Sequence, residues 1–282
     1  MHIRVWGCRG SIAAPGADTA RYGGNTSCVE VRLDDGSLLI LDAGTGARAL
    51  GLALIEDLPP RIDLLLTHLH VDHVEGLGAF EPIWRAETEL HVWGPASPVA
   101  TLDDRLATYF SPPLFPLTLA EVPARCEFHD APSDSWRIGG ATVSSRQILH
   151  PGSTVGYRIE ADGATLAYLT DHEPGLGDDL AATPTEWISG FAIAYRADLL
   201  LHDCQYTDEE YETRFGFGHS SVSHVATFAE RAEVDRALTF HHDPMHTDPE
   251  LESIRDSVIE RWRVEPERCG IATEGARTEI GG

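Results

Sequence analysis

Three imidazoles and a carboxylate crowd into six residues at the end of an apolar run, and this constrains the chain more than any other feature. Leu64-Leu65-Leu66-Thr67 reads as a buried strand, and His68-Leu69-His70-Val71-Asp72-His73-Val74-Glu75-Gly76 follows at once. Side chains two apart in extended chain point the same way, so His68 and His70 address one point. Asp72 and His73 come as the chain turns and address a second point nearby. Imidazole nitrogen and carboxylate oxygen are the donors that zinc, manganese and iron accept. Such a group of side chains is costly to pack unless something uses it. The alternative is a chance histidine cluster on a solvated turn.

Around this segment, short apolar runs recur with turn residues between them. They predict strands over 2–6, 28–33, 38–42, 64–67, 90–92, 142–147, 155–159, 165–169, 199–202 and 237–240. Helical spacing of apolar residues predicts helices over 45–56, 98–109, 186–194, 221–233 and 249–261. Ser220 or Ser221 is placed to cap the fourth helix. Asp248-Pro249 reads as an N-cap followed by proline for the fifth. The pattern is mixed α/β with many strands. Phe110-Ser111-Pro112-Pro113-Leu114-Phe115-Pro116-Leu117 cannot be regular helix. It reads either as a loop walling a site or as a connection packed on the core.

The His68–His73 pattern resembles the His-x-His-x-Asp-His signature of the metallo-β-lactamase superfamily. Trp6-Gly7-Cys8-Arg9-Gly10-Ser11, Tyr22-Gly23-Gly24-Asn25-Thr26-Ser27-Cys28 and Leu41-Asp42-Ala43-Gly44-Thr45-Gly46 look like one branch of it. That branch holds RNase Z-type nucleases and phosphodiesterases of cyclic nucleotides and other small diesters. The resemblance spans nearly the whole chain and implies a single α/β domain over 1–282, a four-layer αββα sandwich with the metals at one edge. It also implies the remaining ligands. His150 follows one strand, Asp171 ends another, and His241 follows a third, with His242 as a less favoured alternative. Metal 1 is then expected on His68, His70 and His150, and metal 2 on Asp72, His73 and His241, with Asp171 bridging. The implied cofactor is two divalent ions, zinc first, manganese or iron as alternatives, sharing a hydroxide that serves as nucleophile.

The candidate catalytic residues are His219 and Asp72. His219, in Gly218-His219-Ser220-Ser221, resembles a Gly-His-Ser element whose histidine assists at the phosphate. Asp203, after the apolar run Leu199–Leu201, is the candidate for the residue that holds it. Ser220-Ser221 would cap a helix whether or not His219 reacts. Flavodiiron oxygen reductases carry glutamate where His70 stands, and β-lactamases lack a bridging carboxylate such as Asp171. Asn25 or Arg21 is placed to approach a phosphate, although a glycine-rich turn explains the same residues. His172 and His242 adjoin ligands and are expected to support them. His2, His91, His129, His202, His224 and His246 read as surface or satisfied core histidines.

Composition narrows the substrate. With 21 basic and 45 acidic residues, the net charge of −24 repels a long polyanion over a broad front. A small anionic substrate drawn in by metal ions is still accommodated. Five scattered cysteines without a C-x-x-C pair suggest neither a disulfide framework nor a thiolate zinc site. The absence of a basic, cleavable N-terminal segment or a long apolar span makes a cytoplasmic protein, outside any membrane, the expectation. A homodimer is an open expectation. The expected activity is hydrolysis of a small phosphodiester such as a cyclic nucleotide. The alternatives are a lactonase or thioesterase on the same metals, or a catalytically silent nucleotide sensor.

Overall fold

A computed structural model describes residues 1–281. Two sheets, each of seven strands among those residues, face each other. The first takes β1 (His2–Gly7), β2 (Cys28–Arg32), β3 (Leu38–Leu41), β4 (Arg61–Leu65), β5 (Glu89–Gly94) and β6 (Arg125–Asp130). The second takes β7 (Ser135–Ile138), β8 (Ala141–Gln147), β9 (Val155–Ala161), β10 (Ala164–Leu169), β11 (Leu199–Asp203), β12 (Arg236–Phe240) and β13 (Cys269–Ile271). β14 (Arg277–Glu279) returns to pair with β1. Strand order is β14-β1-β2-β3-β4-β5-β6 in the first sheet and β13-β12-β11-β10-β9-β8-β7 in the second.

Val29, Val31, Leu39 and Leu41 of the first sheet meet Tyr157, Ile159, Tyr168 and Leu201 of the second in an apolar seam. Alternate residues of the same strands face outwards. Ile40, Leu64 and Val92 join an apolar cluster with Leu50 and Leu54 of the helix Gly46–Leu54 and with Leu102 and Leu106, and Leu200 and Ala237 join one with the helices Val222–Arg231 and Asp248–Trp262. Burial on both faces requires nearly continuous apolar strands, and Leu-Leu-Ile-Leu in β3 meets that requirement. The result is the expected αββα layering.

Several local expectations are corrected. β4 runs Arg61–Leu65, earlier than the apolar run suggested, because its residues from Arg61 on pair in parallel register with β5 from Glu89, and Arg61 and Asp63 also pair with each other at 2.7 Å. Leu66 and Thr67 leave the ladder, and the Thr67 amide donates to Asp42 Oδ1 at 2.8 Å. The helix expected over 186–194 splits into a 3-10 turn at Thr185–Trp187 and a helix at Phe191–Ala194, with Gly190 at φ 72° between them. Thr247, not Asp248, is the N-cap residue of the last helix, closing a capping box with Glu250. The proline-rich segment packs on the core: Phe110 is fully buried and Phe115 stacks on Trp84. Among the described residues, no helix is long and apolar enough to cross a membrane.

β3 through β6 run parallel, as do β10 through β13. Their C-terminal ends therefore open on one edge of the sandwich, where the polar residues following them collect.

Candidate metal centre

The segment after β4 turns through a single helical turn, Val71–Val74, with His70 as its N-terminal boundary. This turn sends His68 and His70 one way and Asp72 and His73 another. Two overlapping donor groups result. His68, His70, His150 and Asp171 form one, and Asp72, His73, Asp171 and His241 form the other, with all donor atoms of each group within 4.8 Å of one another.

Asp171 belongs to both groups through different oxygens. Its Oδ1 lies 3.6 Å from His68 Nε2 and 3.7 Å from His150 Nε2. Its Oδ2 lies 3.0 Å from His73 Nε2 and 3.2 Å from His241 Nε2. His241 Nε2 also stands 3.3 Å from Asp72 Oδ2. The structure thus brings His241 into the cluster and turns His242 away, with His242 Nε2 donating to the Ala272 carbonyl at 3.2 Å. The choice follows from backbone conformation, since His241 and Asp171 both adopt positive φ (54° and 52°) immediately after their strands. Side chains rarely hold that conformation unless their surroundings demand it.

These residues suit divalent metal. Nε2 of His68 and of His73 are buried yet make no hydrogen bond, which is costly for a polar atom without a ligand. Burial, reinforced by His73, drives the His68 imidazole well below its ordinary pKa, leaving a neutral lone pair. Burial alone would favour a neutral Asp171, but His241 and His73 hold it ionised, well below the usual carboxylate range. His70 is exposed, so the centre is open to solvent on that side.

Further residues hold the donors in place. Asp42 is fully buried at φ 58° and meets His73 Nδ1 at 2.9 Å while accepting the Tyr168 hydroxyl at 3.0 Å. A carboxylate on the far nitrogen fixes which nitrogen faces the metal. The Ser11 amide donates to Asp72 Oδ2 at 2.8 Å. His150 Nδ1 donates to the Gly218 carbonyl at 2.9 Å, leaving Nε2 for the centre.

His219 sits beside both groups, its ring 5.1 Å from that of His150 and stacked 5.0 Å from that of His241. Asp203 Oδ2 lies 2.7 Å from His219 Nδ1, in the place expected for a positioning carboxylate. Burial pulls His219 towards the neutral form, but Asp203, Asp171 and Asp72 together outweigh it and lift the imidazole above its ordinary pKa. Ser221 caps the following helix by accepting from the His224 amide, so the capping serine and the histidine have separate tasks.

Two residues escaped the sequence reading. Arg9 is fully buried and donates to the carbonyls of Gly23, Asp243 and His246, tying down the loop after His241. Glu173 is buried and accepts from Gly216 N, Gly218 N and the Tyr211 hydroxyl, which shapes the loop before His219. Their only sequence signal is proximity to a motif. Arg21 and Asn25 are each engaged by a carboxylate: Arg21 pairs with Glu252, and Asn25 with Glu274. The side chain of His172 bonds His202 at 3.1 Å, and only its carbonyl, which accepts from Ser220 Oγ, supports the centre.

Comparison with known proteins gives the family and the fold. A family described as Beta-lactamase superfamily domain matches residues 38–242. Ribonuclease Z of Thermococcus sibiricus is 25% identical over 279 residues, covering 87% of this chain and 90% of the relative. A diphosphatase of the PhnP family superposes with a TM-score of 0.68 at 18% identity, over 99% of this chain and 97% of the other. Zinc-bound PqqB from Methylobacterium extorquens gives a TM-score of 0.68 at 21% identity, over 99% and 100%.

Proposed function

Since the chain belongs to the beta-lactamase superfamily domain family, we propose that it is a two-metal phosphodiesterase of small anionic diesters such as a cyclic nucleotide. At a coarser level it is a hydrolase of the ribonuclease Z branch, a family that binds divalent metal. The observation that carries the finer reading is Asp171, with one oxygen towards each donor group, beside a buried His219–Asp203 pair.

His68, His70 and His150 would hold one ion, Asp72, His73 and His241 the other, and Asp171 both. When bound, a pair of zinc-class ions acidifies water and polarises a phosphoryl oxygen. The protein supplies orientation and protons. Asp203 accepts the Nδ1 proton of His219, which fixes the tautomer and leaves Nε2 for the substrate. A protonated His219 neutralises charge on the phosphoryl group and hands its proton to the departing alkoxide. Asp72, held by the Ser11 amide, would present a carboxylate oxygen to the second ion beside His241 Nε2, which lies 3.3 Å from it.

The ribonuclease Z relative supports a second reading, a structured tRNA precursor as substrate. The net charge of −24 weighs against it, because a polyanion must cross a repulsive surface to reach the centre. Zinc- or manganese-loaded protein assayed on bis-p-nitrophenyl phosphate, cyclic nucleotides and a tRNA precursor separates the two. The proposal expects turnover of the small diesters. Fully metallated protein that cleaves none of them refutes it, and efficient processing of the precursor alone replaces it with the second reading.

A further inference from the structure

A second cluster of ligand-type side chains lies away from this centre, on β5 and the edge strand β6. Parallel register sets His91 beside Glu127 and Trp93 beside His129. Glu127 and His129, two apart on one strand, share the face on which His91 stands. His91 Nδ1 is 3.0 Å from His129 Nε2 and 3.7 Å from Glu127 Oε2. One donor atom from each of the three lies within 4.8 Å of the others.

The surroundings give this cluster a built character. Glu89 Oε1 stands 2.8 Å from the other nitrogen of His91, Nε2, and Arg125 pairs with the same carboxylate. A hydrogen bond donated from His91 Nε2 to Glu89 would leave Nδ1 on the side that faces His129. This is the carboxylate–histidine arrangement that orients metal ligands elsewhere. The His129 ring stacks at 3° on His91 and at 4.2 Å on Trp93, which fixes its plane. His91 is buried, whereas the Glu127 side chain is 50% exposed, so an ion has a path from solvent.

We propose that His91, His129 and Glu127 form an additional binding site for a zinc-class divalent ion, with Glu89 orienting His91. Two imidazoles and one carboxylate leave a fourth tetrahedral position for water. Because two ligands come from the edge strand β6 and one from β5, a bound ion clamps that edge to the sheet.

Zn²⁺ alone is the probe, with the untagged full chain. After equilibrium dialysis at micromolar free Zn²⁺, elemental analysis counts the metal in wild type and variants. Ions held by the centre around Asp171 are common to all samples and cancel in the difference. Wild type is expected to hold one more zinc per chain than His91→Ala or His129→Ala, and Glu127→Gln to bind that zinc about tenfold more weakly. Equal zinc in wild type and a folded His129→Ala would overturn the proposal and leave a hydrogen-bonded histidine pair. Should His91→Ala fail to fold, His129→Gln and Glu127→Gln at the more exposed positions decide the question. Neither outcome depends on whether the protein cleaves diesters.

Discussion

At the scale of single residues, the site is a set of donors whose orientation is set by their neighbours. His219 lies between the two donor groups and a buried carboxylate. His219→Ala is expected to lower kcat on a diester by about 10²–10⁴-fold, the usual range for a lost general acid, while zinc content stays unchanged. Hydrolysis of a lactone or thioester by the same variant is expected to fall far less, and equal losses on both would remove the proton-donor role. Two glycines test the packing of the ligands themselves. A Cβ at Gly10 would lie 2.5 Å from ring atoms of His241. At Gly218, where φ is +88°, it would lie 2.4 Å from His150 Nδ1. Gly10→Ala and Gly218→Ala are each expected to weaken retention of one of the two metals by about tenfold or more, as displaced or misoriented ligands do. Competition with a graded chelator measures this, and wild-type retention would show that the rings can yield.

At the scale of elements, the interior strands were readable and the edges were not. β6, β7, β13 and β14 were missed in the sequence, and they are the outer strands of the two sheets. An edge strand is half solvated, so Arg-Cys-Glu-Phe-His-Asp in β6 alternates where Leu-Leu-Ile-Leu in β3 is continuously apolar. β13 and β14 are only three residues long, too short to show a period. Helix ends failed for another reason. Asp248 looked like a cap, but its carboxylate accepts the Arg21 amide at 2.9 Å, and Thr247 closes the capping box. Thr247→Ala is therefore expected to cost about 1 kcal/mol. Urea unfolding would show this as a lower midpoint at unchanged m-value, and an unchanged midpoint would mean that Pro249 and the helix packing suffice.

At the scale of the whole molecule, two parallel strand sets deliver Asp42, His68, Asp171, Asp203 and His241 to one edge, four of these just past a strand and Asp203 at the last residue of β11. This concentrates charge on buried side chains, so metal and fold are coupled. A metal present at about 1,000 times its Kd adds about 4 kcal/mol of stability. On a chain this size that corresponds to a Tm shift on the order of 10 °C. Chelation is expected to lower the Tm by that order and zinc to restore it, and a chelator-independent melt would separate the cluster from folding. The mixed α/β pattern and the His68–His73 cluster were legible from sequence, because apolar runs report burial and ligand spacing within one segment is local, whereas the αββα layering was implied by resemblance. His150, Asp171 and His241 were proposed by resemblance, and only the folded chain shows them meeting. Their convergence depends on strand order, on φ just past each strand and on which of two adjacent histidines turns inward. The same holds for Asp42, Arg9 and Glu173, whose partners lie far along the chain, and for His91 and His129, which read as isolated residues until parallel register placed them side by side. Sequence fixes what each segment can bury or bind, whereas register and backbone turns decide which segments share a site.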